Sequence, residues 1–139
     1  MEIKIATEEE IKDCYKILHQ IRNDLSENDF LSAITKQIKS GYKVAYVLEN
    51  NQVICVAGFT IGQKLSWGKY IYIEDFVTEK GTKSCDAAKA LWDFIKIYAL
   101  QQECDSIHLD SLVQRYEAHK FYLNQDMKID SHHFSLNLK

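Results

Sequence analysis

Proline is absent from this chain, and glycine occurs only five times in 139 residues. Chain reversals must therefore come from Asn, Asp, Ser and those few glycines. Long apolar runs are missing as well, so no stretch is suited to span a bilayer, and the acidic, alternating start MEIKIATEEE is unlike a secretory leader. The expected location is cytoplasmic, with no membrane partner. Basic excess is missing too: 17 Lys and Arg against 20 Asp and Glu leave a net charge of -3, so nothing recommends nucleic acid as a partner, whereas cationic small molecules are tolerated. Metal spacing is the last absence. Cys14, Cys55, Cys85 and Cys104 are scattered and read as buried thiols. Of His108, His119, His132 and His133, the adjacent pair points to opposite faces of a strand and finds no third ligand at matching spacing, so no metal is expected.

What is present suits one domain over 1–139: 46% hydrophobic residues, with no repeat, linker or low-complexity tract. Residues Glu2 to Ala6 read as a strand, and Thr7 with Glu8 to Glu10 as the capped, acidic start of a helix carrying Ile11, Cys14, Ile17, Leu18 and Ile21 inward. A polar break around Asn23 to Asp29 leads to a second helix with Phe30, Leu31, Ile34 and Ile38 inward, which Gly41 would stop. Tyr42 to Leu48 and Val53 to Ile61 form a hairpin about Glu49-Asn50-Asn51, with Gly58 marking a bulge. After the next strand and helix come a short strand at Ser106 to Asp110, a helix over Arg115 to Gln125, and two closing strands, Met127 to Ser131 and His133 to Leu138. This order predicts an α/β (α+β) layered domain with helices over a largely antiparallel sheet.

The stretch KYIYIEDFVTEKGTKSCDAAKAL, Lys69 to Leu91, organises the rest. Along Ile71 to Val77 strict alternation puts Glu74 with Tyr72 and Phe76, and Asp75 with Ile73 and Val77. One carboxylate then points where an apolar strand would not want it. In the following helix Ala88, Leu91, Trp92, Ile95, Tyr98 and Ala99 make a core-facing stripe, and the backbone N–H groups of its first turn offer an anion site.

With WGKYIYIEDFV leading into a loop and helix, and AHKFYLNQDMKIDSHHFSL closing the chain, the sequence resembles the GNAT acetyltransferase superfamily, in particular its bacterial small-amine members. The resemblance implies a mixed, mostly antiparallel sheet of six to seven strands with about four helices, its fourth and fifth strands splayed to admit acetyl-coenzyme A. Those strands are Tyr70 to Val77 and Ser106 to Asp110. It implies further that Glu74 is the general base for an ammonium otherwise protonated at neutral pH, and that Tyr122 is the proton donor to the departing thiolate. Asp75 and Trp67 would meet the acceptor, with Glu27 and Asp29 near it, and the backbone of Phe76 and Val77 would pair with the pantetheine and the acetyl carbonyl. The diphosphate would lie on Lys83, Ser84, Cys85, Asp86, Ala87 and Ala88, with Arg115, in the place of a frequent asparagine, reaching a phosphate.

Asp86 departs from the family pattern, which has glycine there. An acidic side chain about 5 Å from a phosphate costs on the order of 1 to 3 kcal/mol, a tenfold to hundredfold loss of affinity, unless the carboxylate merely serves the positive end of the helix. Two functions follow. One is an N-acetyltransferase transferring acetyl from acetyl-CoA to a primary amine of a small molecule or peptide by direct attack. The other is a GNAT-fold module with weakened or lost coenzyme binding that serves as a ligand-binding or protein-interaction domain. A homodimer, common in the family, is compatible with either.

Overall fold

The computed structural model describes residues 1–79 and 84–139, without the side chains at 84 and 85. Two compact units emerge, Met1–His108 and Leu109–Lys139. In the first, β1 (Glu2–Ile5) is followed by α1 (Ile11–Leu18), α2 (Glu27–Lys39), β2 (Lys43–Glu49), β3 (Gln52–Lys64), β4 (Gly68–Thr78), α3 (Ser84–Gln101) and β5 (Ser106–Leu109). The strands lie in chain order in one sheet. Pairs β1–β2, β2–β3 and β3–β4 are antiparallel, and β5 runs parallel to β4, tied at its start by the Asp105 N–H donating to the Lys69 carbonyl at 2.7 Å. The mixed, mostly antiparallel sheet is thus as expected. No helix among the described residues is long and apolar enough to cross a membrane.

Local chemistry explains the boundaries. Asn50 and Asn51 take φ of 51° and 61°, the left-handed pair that a two-residue hairpin turn requires. The Ser26 hydroxyl accepts from the Asp29 N–H at 3.2 Å and caps α2, and Gly41, at φ 104°, follows its end. α1 ends at Leu18, so Ile21 lies in the turn beyond it, packed against the same core.

The two faces of the sheet bury different partners. One face carries Val44, Tyr46, Val56 and Val77 into a cluster with Ile11, Cys14, Ile17 and Leu18 of α1 and Phe30 and Ile34 of α2. The other packs on α3, where Phe59 meets Tyr98 edge-on at 5.7 Å and Ala87, Ala88, Leu91, Trp92, Ile95 and Ala99 are buried, as the stripe predicts. Each large side chain fully removed from water, such as Phe59 or Ile95, contributes about 1.5–3 kcal/mol. Cys14 and Cys55 are buried thiols, and burial pushes both up to about 12.

The register corrects the simple alternation of β4. Phe59 stands opposite Ile73 and Gly58 opposite Asp75, so Glu74 is the extra residue of a β-bulge. Directly paired residues share a face, which keeps Ile71 and Ile73 on the α3 side with Ile61 and Phe59 but turns Asp75 and Val77 to the α1/α2 side with Gly58 and Val56. The bulge reverses the faces halfway along the strand. Asp75 therefore does not share the face of Ile73.

The second unit contains α4 (Tyr116–Asn124), which stops where Asp126 turns left-handed at φ 66° and the Met127 N–H donates to the Tyr122 carbonyl at 3.2 Å. The strands expected at Met127 to Ser131 and His133 to Leu138 are not formed, so the sheet has five strands rather than six or seven. The apolar alternation there is real, but Ile129, Phe134, Leu136 and Leu138 remain exposed, and a strand pattern without a partner ladder forms no strand.

Candidate active site

The bulge concentrates charge at the middle of β4. Water reaches Glu74, yet its carboxyl is raised above the ordinary glutamate value, first by the protein packed around it and second by the neighbouring Asp75 carboxylate. The Arg22 charge and a hydrogen bond with the Thr60 side chain oppose the shift. Thr60 pairs with Tyr72, so both carboxylates are engaged from the α1/α2 side.

Asp75 is buried, and both of its oxygens are engaged. The Arg22 Nη2 donates to Oδ1 at 2.6 Å, and the Tyr42 hydroxyl donates to Oδ2 at 2.6 Å. Tyr42 reaches it by crossing Gly58, where a Cβ would stand 1.5 Å from the hydroxyl oxygen, so only glycine admits this bond. Burial and the Asp75 charge push the Tyr42 phenol well above its usual range, which keeps it a neutral donor. Neither Arg22 nor Tyr42 stands out in the sequence as functional. Gly58 was the visible signal, because a glycine inside a β-branched run marks a bulge or a close approach, and here it marks both.

An aromatic corner lies on the same side of the first half of β4, where Tyr70 and Tyr72 pair with Gly62 and Thr60. Trp67 stacks on His108 at 3.5 Å and 8°, lies nearly parallel to Tyr72 at 6.4 Å, and meets Tyr70 edge-on at 5.1 Å. The Lys64 ammonium lies 3.8 Å from the Trp67 ring centre, in cation–π contact. Glu74, Asp75 and Trp67 thus belong to one side of one strand and its approach.

β5 starts opposite Lys69 and is four residues long, so it reaches only to about the level of Ile73 and does not run beside Phe76 and Val77. At the start of α3, Asp86 is exposed in the first turn while Ala87 and Ala88 are buried. Lys83 lies outside the described residues, as do the side chains of Ser84 and Cys85. In the second unit Arg115 precedes α4 without a side-chain cap, Tyr122 is half-buried and packs edge-on to Phe121 at 5.6 Å, and His119 Nε2 is 2.8 Å from the Leu112 carbonyl oxygen.

β4 is bulged, flanked by helices on both faces and has a parallel strand beside its first half only, and the acetyltransferase (GNAT) family model matches residues 5–127. The chain belongs to that family. It is 25% identical over 123 residues to the uncharacterized N-acetyltransferase YhdJ of Bacillus subtilis (strain 168), covering 88% of this chain and 87% of that one. Among solved structures it superposes on a probable acetyltransferase with a TM-score of 0.86 at 14% identity, covering 100% of this chain and 99% of that one. A ribosomal-protein-alanine N-acetyltransferase from Brucella melitensis biovar Abortus 2308 gives 0.85 at 10% identity, over 99% and 100%. At these identities the likeness is one of fold.

Proposed function

We propose that this chain transfers an acetyl group from acetyl-CoA to a primary amine of a small molecule or peptide by direct attack. The observation that carries the reading is Glu74, a water-accessible carboxylate placed at the bulge of β4, with an affinity for protons raised by its surroundings. A carboxylate whose affinity for protons is raised is the better acceptor for the ammonium proton. The amine lone pair then forms the bond to the acetyl carbon, the carbon–sulfur bond breaks, Tyr122 gives its proton to the departing thiolate, and the nitrogen sheds its second proton to solvent, from which Tyr122 is reprotonated. Asp75 adds negative charge to the acceptor side and holds Arg22 and Tyr42, while Trp67 walls the acceptor. Orientation of the two reactants supplies much of the rate.

Acetyl-CoA is the co-substrate. The short reach of β5 suits a pantetheine arm along the backbone of Phe76 and Val77, and the first-turn amides of α3 from Ser84 to Ala88 suit the diphosphate, with Lys83 and Arg115 as its cations. Asp86, exposed in that same turn, favours the second reading, a GNAT-fold module with weakened coenzyme binding. Calorimetric titration with acetyl-CoA at low and moderate salt, beside Asp86→Gly, separates the two. Micromolar binding by the unaltered protein, followed by thiol release with an amine panel, supports the transferase. Absence of binding at millimolar ligand, regained in Asp86→Gly, supports the module.

A further inference from the structure

We propose that Arg22 and the recess beneath it form an anion subsite on the acceptor side, so that the acceptor carries a carboxylate as well as the amine. The inference rests on the transferase reading and names its substrate class. An arginine that only tied the α1–α2 connection to the sheet would be expected to grip its carboxylate through two nitrogens. Here Tyr42 takes Oδ2 of Asp75, and Arg22 holds Oδ1 through Nη2. A guanidinium has five N–H donors in a rigid fork, so this single grip fixes the group and leaves donors for a ligand. The Arg22 side chain is 50% exposed against 10% for Asp75, so the anchor is buried and the anchored fork is accessible.

Below it lies a recess of about 60 Å³ lined by Leu18, Arg22, Leu25, Phe30, Gln37 and Asp75, among others. That space takes a few waters, and so the three heavy atoms of a carboxylate. Gln37 also lines the recess, beside the apolar side chains of Leu18, Leu25, Phe30 and Ile34. The charges in view are Glu74 and Asp75, negative, and Arg22, positive, with the Arg22 charge felt at Glu74. With Arg22 already paired to Asp75, an ammonium balances the remaining negative charge at Glu74, and a carboxylate takes the guanidinium donors that Asp75 leaves open. A plain alkylamine would leave those donors unused.

The test compares 4-aminobutyrate with propylamine, which lacks only the carboxylate, by ligand-observed NMR titration of the purified full chain. Arg22→Gln and Arg22→Lys accompany the native protein. Native protein should bind 4-aminobutyrate at least tenfold more tightly than propylamine. Arg22→Gln should bring 4-aminobutyrate down to the level of propylamine. Arg22→Lys keeps a charge on Asp75 but loses the fork, and should recover only part of the preference; it carries the test if the glutamine variant does not fold. Equal binding of the two ligands, or a preference that survives both variants, would overturn the proposal. Binding lost with the fork but no thiol release from acetyl-CoA would remove the transferase reading and leave the subsite standing.

Discussion

Two parts of this molecule are built from the same three groups. At Asp75 a carboxylate accepts from the Tyr42 hydroxyl and an arginine, each at 2.6 Å; at Glu10 a carboxylate accepts from the Tyr46 hydroxyl at 2.6 Å and pairs with Lys4 at 2.5 Å. The difference lies in where they sit. Glu10 also accepts from the Thr7 N–H at 2.9 Å, and its three donors, Lys4 foremost, bring it down to about 2. It latches β1, α1 and β2 together beside a polar cleft of about 410 Å³, where Lys16 also pairs with Glu79. Asp75 is buried at a bulge and helps raise the carboxyl next to it. The latch has the larger cavity but its charges are spent on one another, whereas the bulge leaves Glu74 available for protons. Volume alone would have pointed to the latch rather than to the bulge.

The contrast is broken most severely by Glu74→Gln, which should lower turnover about 10²- to 10⁴-fold, read by thiol release, with the urea midpoint not lowered. Gly58→Ala should follow: its methyl group would displace Tyr42 from Asp75, destabilising the fold by about 1–3 kcal/mol in urea titration. Tyr42→Phe strands one buried oxygen of Asp75 and should cost about 1–3 kcal/mol, while Tyr46→Phe, whose acceptor is only half-buried and keeps two other donors, should cost at most about 1 kcal/mol. Equal costs would mean that the two clusters do not differ as described. The smallest effect concerns acid. A carboxylate whose folded pKa is lowered contributes stability that is present above its usual value, near 4.5, and lost as pH falls towards about 2. Glu10→Gln should flatten the low-salt stability curve in that window. Glu74, being raised, has the opposite sign: its contribution is present at low pH and lost as pH rises through the folded value.

The elements up to α4 were legible because hydrophobic period and turn chemistry are local. Asn50-Asn51 and Gly41 each announce a boundary through their own backbone preferences, whereas Thr7, expected to cap α1, does not: the helix starts at Ile11 behind Glu10 with no side-chain cap. The faces of β4 were not, because alternation assumes an unbroken ladder, and a single inserted residue at Glu74 inverts everything after it. Gly58 signalled the bulge without saying which side chains it would turn. Arg22 was invisible for a different reason: its partner lies 53 residues away, and no spacing rule connects an arginine in a polar turn to a carboxylate in a distant strand. The closing strands failed where Phe134, Leu136 and Leu138 alternate as a strand would, yet find nothing to pair with.

The pH dependence of acetyl transfer to a saturating amine, measured for the native protein beside Glu74→Gln, tests the central claim most directly. The account expects turnover to rise with pH through an ionisation above the ordinary glutamate value, and that limb to vanish with the glutamine. Full turnover in Glu74→Gln with the same pH profile would contradict it, and the base would have to be sought elsewhere.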